Sequence, residues 1–294
     1  MYEIGIIGLG RMGYGIAEKM LNSKKVKVHA YNRGEEPRKK LAKKGAKTYP
    51  KIKTMIDSMQ KKIVWLMLPN KITPKIFEET LSYLQKGDII IDGSNSHFEL
   101  AKQKAQQAQK KGVKFLDIGV SGGIIARKTG YPLMIGGDKS AYNQIKPILK
   151  TFAYPQGFEY FGEAGSGHYV KMIHNAIEYG MMQSIAEGFE ILEKSNFELD
   201  LKKVSKLYTK GTIVSGLLMD VTHNAIKSGL KYKPFVEDSG EGKWAAKEAL
   251  DLGVPFISNT YALHARYHSR NKDSYAFKLL AGMRKEFGGH SVKK

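Results

Sequence analysis

Short apolar runs alternate with polar, helix-like stretches through the first half of the chain. Runs at residues 4–7, 26–31, 63–68, 88–92, 114–117 and 132–135 read as buried strands, while 73–85 and 99–111 are helical in character. That alternation predicts an α/β fold built on a mainly parallel, doubly wound Rossmann-type sheet. The pattern changes near residue 165. A helical periodicity then runs from 168 to about 194 without a proline. Helices continue beyond it, with breaks near Ser195-Asn196, Gly211 and residues 229–234, 239–242 and 253–255. A chain of 294 residues also exceeds one ordinary core. The expected organisation is an α/β domain over 1–164 and an all-α domain over 165–294.

The first strand leads straight into Gly8-Leu9-Gly10-Arg11-Met12-Gly13 and then a helix. This is the Gly-x-Gly-x-x-Gly turn in its required context. The first glycine permits the tight turn, the second lets backbone approach a pyrophosphate, and the third allows close helix packing. The helix N-terminus adds amide donors for phosphate. The first domain is therefore expected to bind a dinucleotide. The second strand ends at Asn32-Arg33, where an NAD site commonly places a carboxylate. Arg33 suits a 2′-phosphate, so the expected cofactor is NADP, with NAD as the alternative.

Ligands of such sheets sit beyond the carboxyl ends of the strands. This singles out Leu68-Pro69-Asn70, Gly93-Ser94-Asn95-Ser96 and Gly119-Val120-Ser121-Gly122-Gly123. Leu68 and Asn95 are expected at the cofactor. Turn chemistry alone accounts for glycine and serine in these loops about as well.

The second domain opens with Lys171, His174, Asn175, Glu178 and Tyr179. Lys171, Asn175 and Glu178 fall at i, i+4 and i+7, on one stripe of a helix whose flanks are apolar. A lysine and a glutamate so placed can move protons in two directions at one substrate. A surface lysine or a structural Lys–Glu pair remains the plainer reading. His174 fits a hydrogen-bonding partner as well as an acid or base. A helix placed where two domains meet suits a ligand cleft.

Composition narrows the setting. The chain is 42% hydrophobic and has no cysteine, which excludes disulfides, thiolate metal sites and cysteine nucleophiles. No His/Asp/Glu set has metal-ligand spacing. No apolar run approaches the roughly 20 residues of a membrane span, and a strand pattern at the N-terminus leaves no room for a signal peptide. A cytoplasmic protein is expected. The net charge of +20 comes mostly from dispersed lysine pairs, the mark of a solvated surface. Its field favours anionic small molecules, and nucleic acid is not an expected partner.

With these residues in view, the chain resembles a decarboxylating 6-phosphogluconate dehydrogenase of the short form, within the β-hydroxyacid dehydrogenases. His174-Asn175-Ala176-Ile177-Glu178-Tyr179-Gly180 carries the resemblance most specifically. Asp92-Gly93-Ser94-Asn95-Ser96, the 119–123 loop and Gly240-Glu241-Gly242-Lys243-Trp244 support it. The resemblance implies oxidation of 6-phosphogluconate to ribulose 5-phosphate and CO2 with NADP or NAD, in the pentose phosphate route or gluconate utilisation. It implies Lys171 as base, Glu178 as proton donor, and His174 and Asn175 as orienting groups. Asn95, Ser121, Gly122 and Gly123 would contact the sugar acid. Tyr179, Arg266, Arg284 and His290 would hold its charged ends. It further implies a homodimer or homotetramer, with the tail bearing Arg284 and His290 completing the neighbouring site. The alternative is a 3-hydroxyisobutyrate-type dehydrogenase that does not decarboxylate. Two departures stand out: Ser239 where longer relatives carry a lysine, and Ile124-Ile125-Ala126-Arg127 after the serine–glycine–glycine loop.

Overall fold

A computed structural model describes residues 1–271, 273–279 and 283, and the chain divides into two compact units, Met1–Met172 and Ile173–Lys294. The first unit is built on strands β1 (Tyr2–Ile7), β2 (Val26–Tyr31), β3 (Lys47–Tyr49), β4 (Ile63–Leu66), β5 (Ile89–Asp92), β6 (Lys114–Val120), β7 (Tyr131–Gly137) and β8 (Ala153–Gly162). They form one sheet in the order β3-β2-β1-β4-β5-β6-β7-β8. Every pairing is parallel except β6 with β7. The expected doubly wound sheet is therefore present, with β7 and β8 running opposite to the other strands.

Helices α1 (Arg11–Asn22), α2 (Glu35–Ala42), α3 (Ile52–Asp57), α4 (Thr73–Ser82), α5 (Phe98–Lys110), α6 (Ala126–Thr129) and α7 (Lys139–Leu149) connect these strands. Two apolar cores form. One gathers Ile4, Ile6, Ile16, Met20, Trp65, Leu116 and Ile145, the other Ile7, Ile56, Leu66, Phe77, Ile90 and Phe115. Odd and even residues of β1 fall in opposite cores, as the two-residue repeat of a strand requires. Six elements of the first unit go beyond the sequence reading: α2, β3, α3, α6, α7 and β8.

α8 (Ser166–Glu193) begins in the first unit and continues into the second, which also holds α9 (Leu201–Tyr208), α10 (Leu217–Lys227), α11 (Glu241–Asp251) and α12 (Ile257–Arg270). The second unit is thus all helical among the described residues. No helix of the described residues is long and apolar enough to cross a membrane.

Candidate active site

The glycine-rich turn is shaped by contacts that exclude side chains. Gly8 has φ +103°, and a Cβ there would lie 2.3 Å from the Met67 carbonyl oxygen. A Cβ on Gly13 would lie 2.1 Å from the Gly8 oxygen. Gly10 differs, because a Cβ there would meet nothing within 4 Å. Its openness, with no acidic residue in the first turn of α1, leaves the helix start suited to a phosphate. The cradle therefore fits a dinucleotide. Asn32 braces it: Leu9 N donates to Asn32 Oδ1 at 3.0 Å, and Asn32 Nδ2 donates to the Gly34 oxygen at 3.1 Å.

Beside the turn lies a cavity of about 450 Å³ lined by Leu9, Gly10, Arg11, Tyr14, Glu36, Pro37, Lys40 and Arg127. Arg33 is exposed and does not line it. Lys40 and Arg127, which the sequence reading did not assign to the cofactor, join Arg11 in its positive wall. Arg127 Nε bonds Glu18 Oε2 at 2.5 Å, and Lys44 reaches the other oxygen. The Arg127 hydrogen bond, reinforced by Lys44, outweighs burial and holds the Glu18 carboxyl down at about 2.

Two strand ends carry the other loops. Leu68 follows β4, and its side chain packs by Gly8. At the end of β5, Asp92 is fully buried. It accepts from Ser94 N at 2.9 Å and Ser96 Oγ at 3.3 Å, and pairs with Lys104. Burial opposes its ionisation, yet His168, Lys104 and Ser94 keep the carboxyl below the ordinary range. This network holds the loop bearing exposed Asn95, whose carbonyl oxygen also accepts from Asn70 Nδ2.

β6 places both the serine–glycine–glycine loop and the start of α8. Asp117 accepts from Gly165 N and His168 N, each at 2.8 Å, and so caps the helix. Two residues on, Gly119 presents bare backbone: a Cβ there would lie 2.4 Å from Lys171 Cβ. The Lys171 stem therefore crosses β6 two residues before Ser121. The lysine is only 7% exposed. Ser121 N donates to the Pro132 oxygen at 2.9 Å, and Gly122 and Gly123 both take positive φ.

In the second unit, Asn175 meets α11, and Tyr179 meets α11 and α12. Asn175 Nδ2 donates to Glu241 Oε1 at 2.9 Å, while Asn175 Oδ1 lies 3.0 Å from His174 Nδ1. The Tyr179 hydroxyl donates to Asp238 at 3.3 Å and accepts from Ser239 N at 3.3 Å. Burial pushes this phenol up against the opposing hydrogen bonds of Ser239. The Arg266 guanidinium stacks 3.6 Å from the Tyr179 ring centre, and its NH1 donates to the Glu237 oxygen. Glu178 is half-buried. Glu241 and Asp238 were not singled out as site residues by the sequence reading. Arg284 and His290 lie outside the described residues.

A glycine-rich dinucleotide cradle and a buried lysine beginning a polar helical stripe together define the class of a nicotinamide-dependent hydroxyacid dehydrogenase. Comparison with known proteins agrees. Residues 3–162 match the NAD-binding domain of 6-phosphogluconate dehydrogenase and residues 167–286 its C-terminal domain. The chain belongs to the 6-phosphogluconate dehydrogenase family. It is 37% identical to Bacillus subtilis YqeC, provisionally named a 6-phosphogluconate dehydrogenase, over 99% of both chains. It is 32% identical to the NAD(+)-dependent, decarboxylating 6-phosphogluconate dehydrogenase of Haloferax volcanii, over 99% of this chain and 98% of that one. Among solved structures, the 6-phosphogluconate dehydrogenase of Plasmodium falciparum superposes with a TM-score of 0.83 at 29% identity. That match covers 99% of this chain and 66% of the other, which was solved apo, with NADP+ and with 6-phosphogluconate.

Proposed function

We propose that this dehydrogenase oxidises and decarboxylates 6-phosphogluconate to ribulose 5-phosphate and CO2, using NADP or NAD. One observation carries the reading: Lys171 lies buried against Gly119 at the start of the helix that also bears Asn175 and Glu178. A lysine acts as a base in its neutral form, and here its stem is packed away from water.

Bound nicotinamide supplies the acceptor for the hydride leaving C3. Lys171 takes the proton of the 3-hydroxyl as the ketone forms. The C1–C2 bond of the β-keto acid then breaks, CO2 departs, and the electron pair is received by the ketone oxygen, which Lys171 protonates. Glu178 delivers a proton to the carbon that becomes C1 of the product, while Lys171 recovers the hydroxyl proton. His174 and Asn175 orient the hydroxyl and carboxylate, and Asn95, Ser121, Gly122 and Gly123 contact the sugar acid. Tyr179 and Arg266 hold a charged end of the substrate.

A homo-oligomer belongs to the same reading. Ile177 and Met181, one turn apart on α8, are exposed large apolar residues, as are Ile213 and Leu217, and such positions suit contact with a second copy. The test mixes purified protein with 6-phosphogluconate and NADP or NAD, following reduced nicotinamide and CO2 together. Equal yields are expected. Reduction without CO2 would move the protein to the non-decarboxylating dehydrogenases.

A further inference from the structure

Glu241 is a buried carboxylate, 1% exposed, held against the helix that bears the proposed proton-transfer residues. Its position is built by the backbone around it. Gly240 takes φ +110° and its N–H donates to Asp238 Oδ1 at 2.9 Å, turning the chain into α11. Gly242 then lies flat on Tyr179, where a Cβ would come within 2.7 Å of Cε2. One helical turn back from Tyr179 is Asn175, whose Nδ2 donates to Glu241 Oε1 at 2.9 Å. The first turn of α11 is thus fastened to α8 at two points, and the carboxylate is one of them.

The donor and acceptor roles run in one direction. Glu241 Oε1 accepts from the Asn175 amide, which therefore turns its nitrogen towards residue 241. Its oxygen then faces His174 Nδ1 at 3.0 Å, and an amide oxygen only accepts. The imidazole must therefore carry a proton on Nδ1. We propose that Glu241 is a positioning residue that orients the Asn175 amide and, through it, fixes the His174 proton on Nδ1. The inference rests on the reaction proposed above for its consequence, though not for its geometry.

The test is nitrogen-15 NMR of histidine-labelled, full-length protein, with the His174 signals assigned by their loss in His174→Asn. The neutral wild-type imidazole should be the Nδ1–H tautomer, and an Nε2–H tautomer there overturns the proposal. In Glu241→Gln the side chain can donate as well as accept, so the amide can turn over. The tautomers should mix, and kcat/KM for 6-phosphogluconate should fall about tenfold to a hundredfold, the scale of a charged hydrogen bond. An unchanged tautomer, or a changed tautomer with unchanged kcat/KM, overturns the role. Were Glu241→Gln to misfold, the wild-type tautomer alone would decide. The tautomer is read without substrate. Wild-type protein that fails to oxidise 6-phosphogluconate would therefore refute the reaction and not the Glu241 geometry.

Discussion

Gly119→Ala is the sharpest test of how the fold holds Lys171. The added methyl would sit 2.4 Å from Lys171 Cβ, 2.8 Å from its Cγ and 3.2 Å from the Gly167 oxygen. Carbon atoms pack at about 3.5–4.0 Å, so roughly an ångström of movement is needed. A flexible tip cannot supply it, because Cβ is fixed to the backbone of α8. Asp117 holds that same helix start through Gly165 N and His168 N. The strain is therefore shared between helix and strand.

Overpacking of this kind costs about 1–3 kcal/mol, and each kcal/mol lowers Tm by about 2–4 °C in a protein of this size. Tm should fall by about 2–12 °C, the product of those two ranges. The larger effect is on catalysis, since about 1 Å of misplacement costs on the order of a hundredfold in rate. The assay reads kcat with 6-phosphogluconate, cofactor Kd by nicotinamide fluorescence and the thermal melt on one preparation. The Gly119→Ala variant is expected to fold, with about a hundredfold lower kcat and unchanged cofactor Kd. Wild-type kcat would refute the placement of Lys171 by β6, and a matching loss of cofactor affinity would show a general distortion instead.

Glu178→Gln should lower the rate of ribulose 5-phosphate formation on the order of 10²–10⁴-fold, the usual worth of a general acid. Unchanged ribulose 5-phosphate formation would remove Glu178 from the mechanism. Glu18→Gln tests the carboxyl held at about 2 against an ordinary 4.5. A depressed carboxyl pKa contributes stability that is present above pH 4.5 and lost as pH falls towards 2, so melts of the variant should vary less with pH across that window. Ending the chain after Gly282 should abolish 6-phosphogluconate turnover while leaving cofactor Kd unchanged. Full turnover by the shortened protein would refute a substrate role for Arg284 and His290.

The parts of the fold legible in sequence are those whose demands are local. Gly8, Gly10 and Gly13 announce their turn because strand, glycines and helix are adjacent in the chain. The central strands announce themselves too, since burial on both faces leaves β5 as an unbroken Ile-Ile-Ile-Asp run. β3 has only three residues, too few to show a period. β8 is an edge strand, interrupted by Pro155 and by Gln156 at φ +58°, and its outward residues are exposed. A bulged edge discourages further pairing, and it also erases the alternation a strand would display.

The same division runs through the candidate site. Helical spacing alone puts Lys171, Asn175 and Glu178 on one stripe, because that relation needs nothing but the pitch of α8. Glu241 lies far along the chain from Asn175, and only packing of α11 on Tyr179 makes them neighbours. Asp117 looks like an ordinary strand residue, and Gly119 like a turn glycine, until the helix they cap and carry is in place. Groups that move protons can thus be recognised by type and period, while the groups that aim them are found only after folding. Gly119→Ala and Glu241→Gln follow from this, since each leaves every proposed proton-transfer residue intact. If both variants kept wild-type kinetics, the stripe on α8 would be sufficient alone. Losses in both would mean that the strand beneath Lys171 and the carboxylate behind Asn175 are as necessary to the reaction as the residues they position.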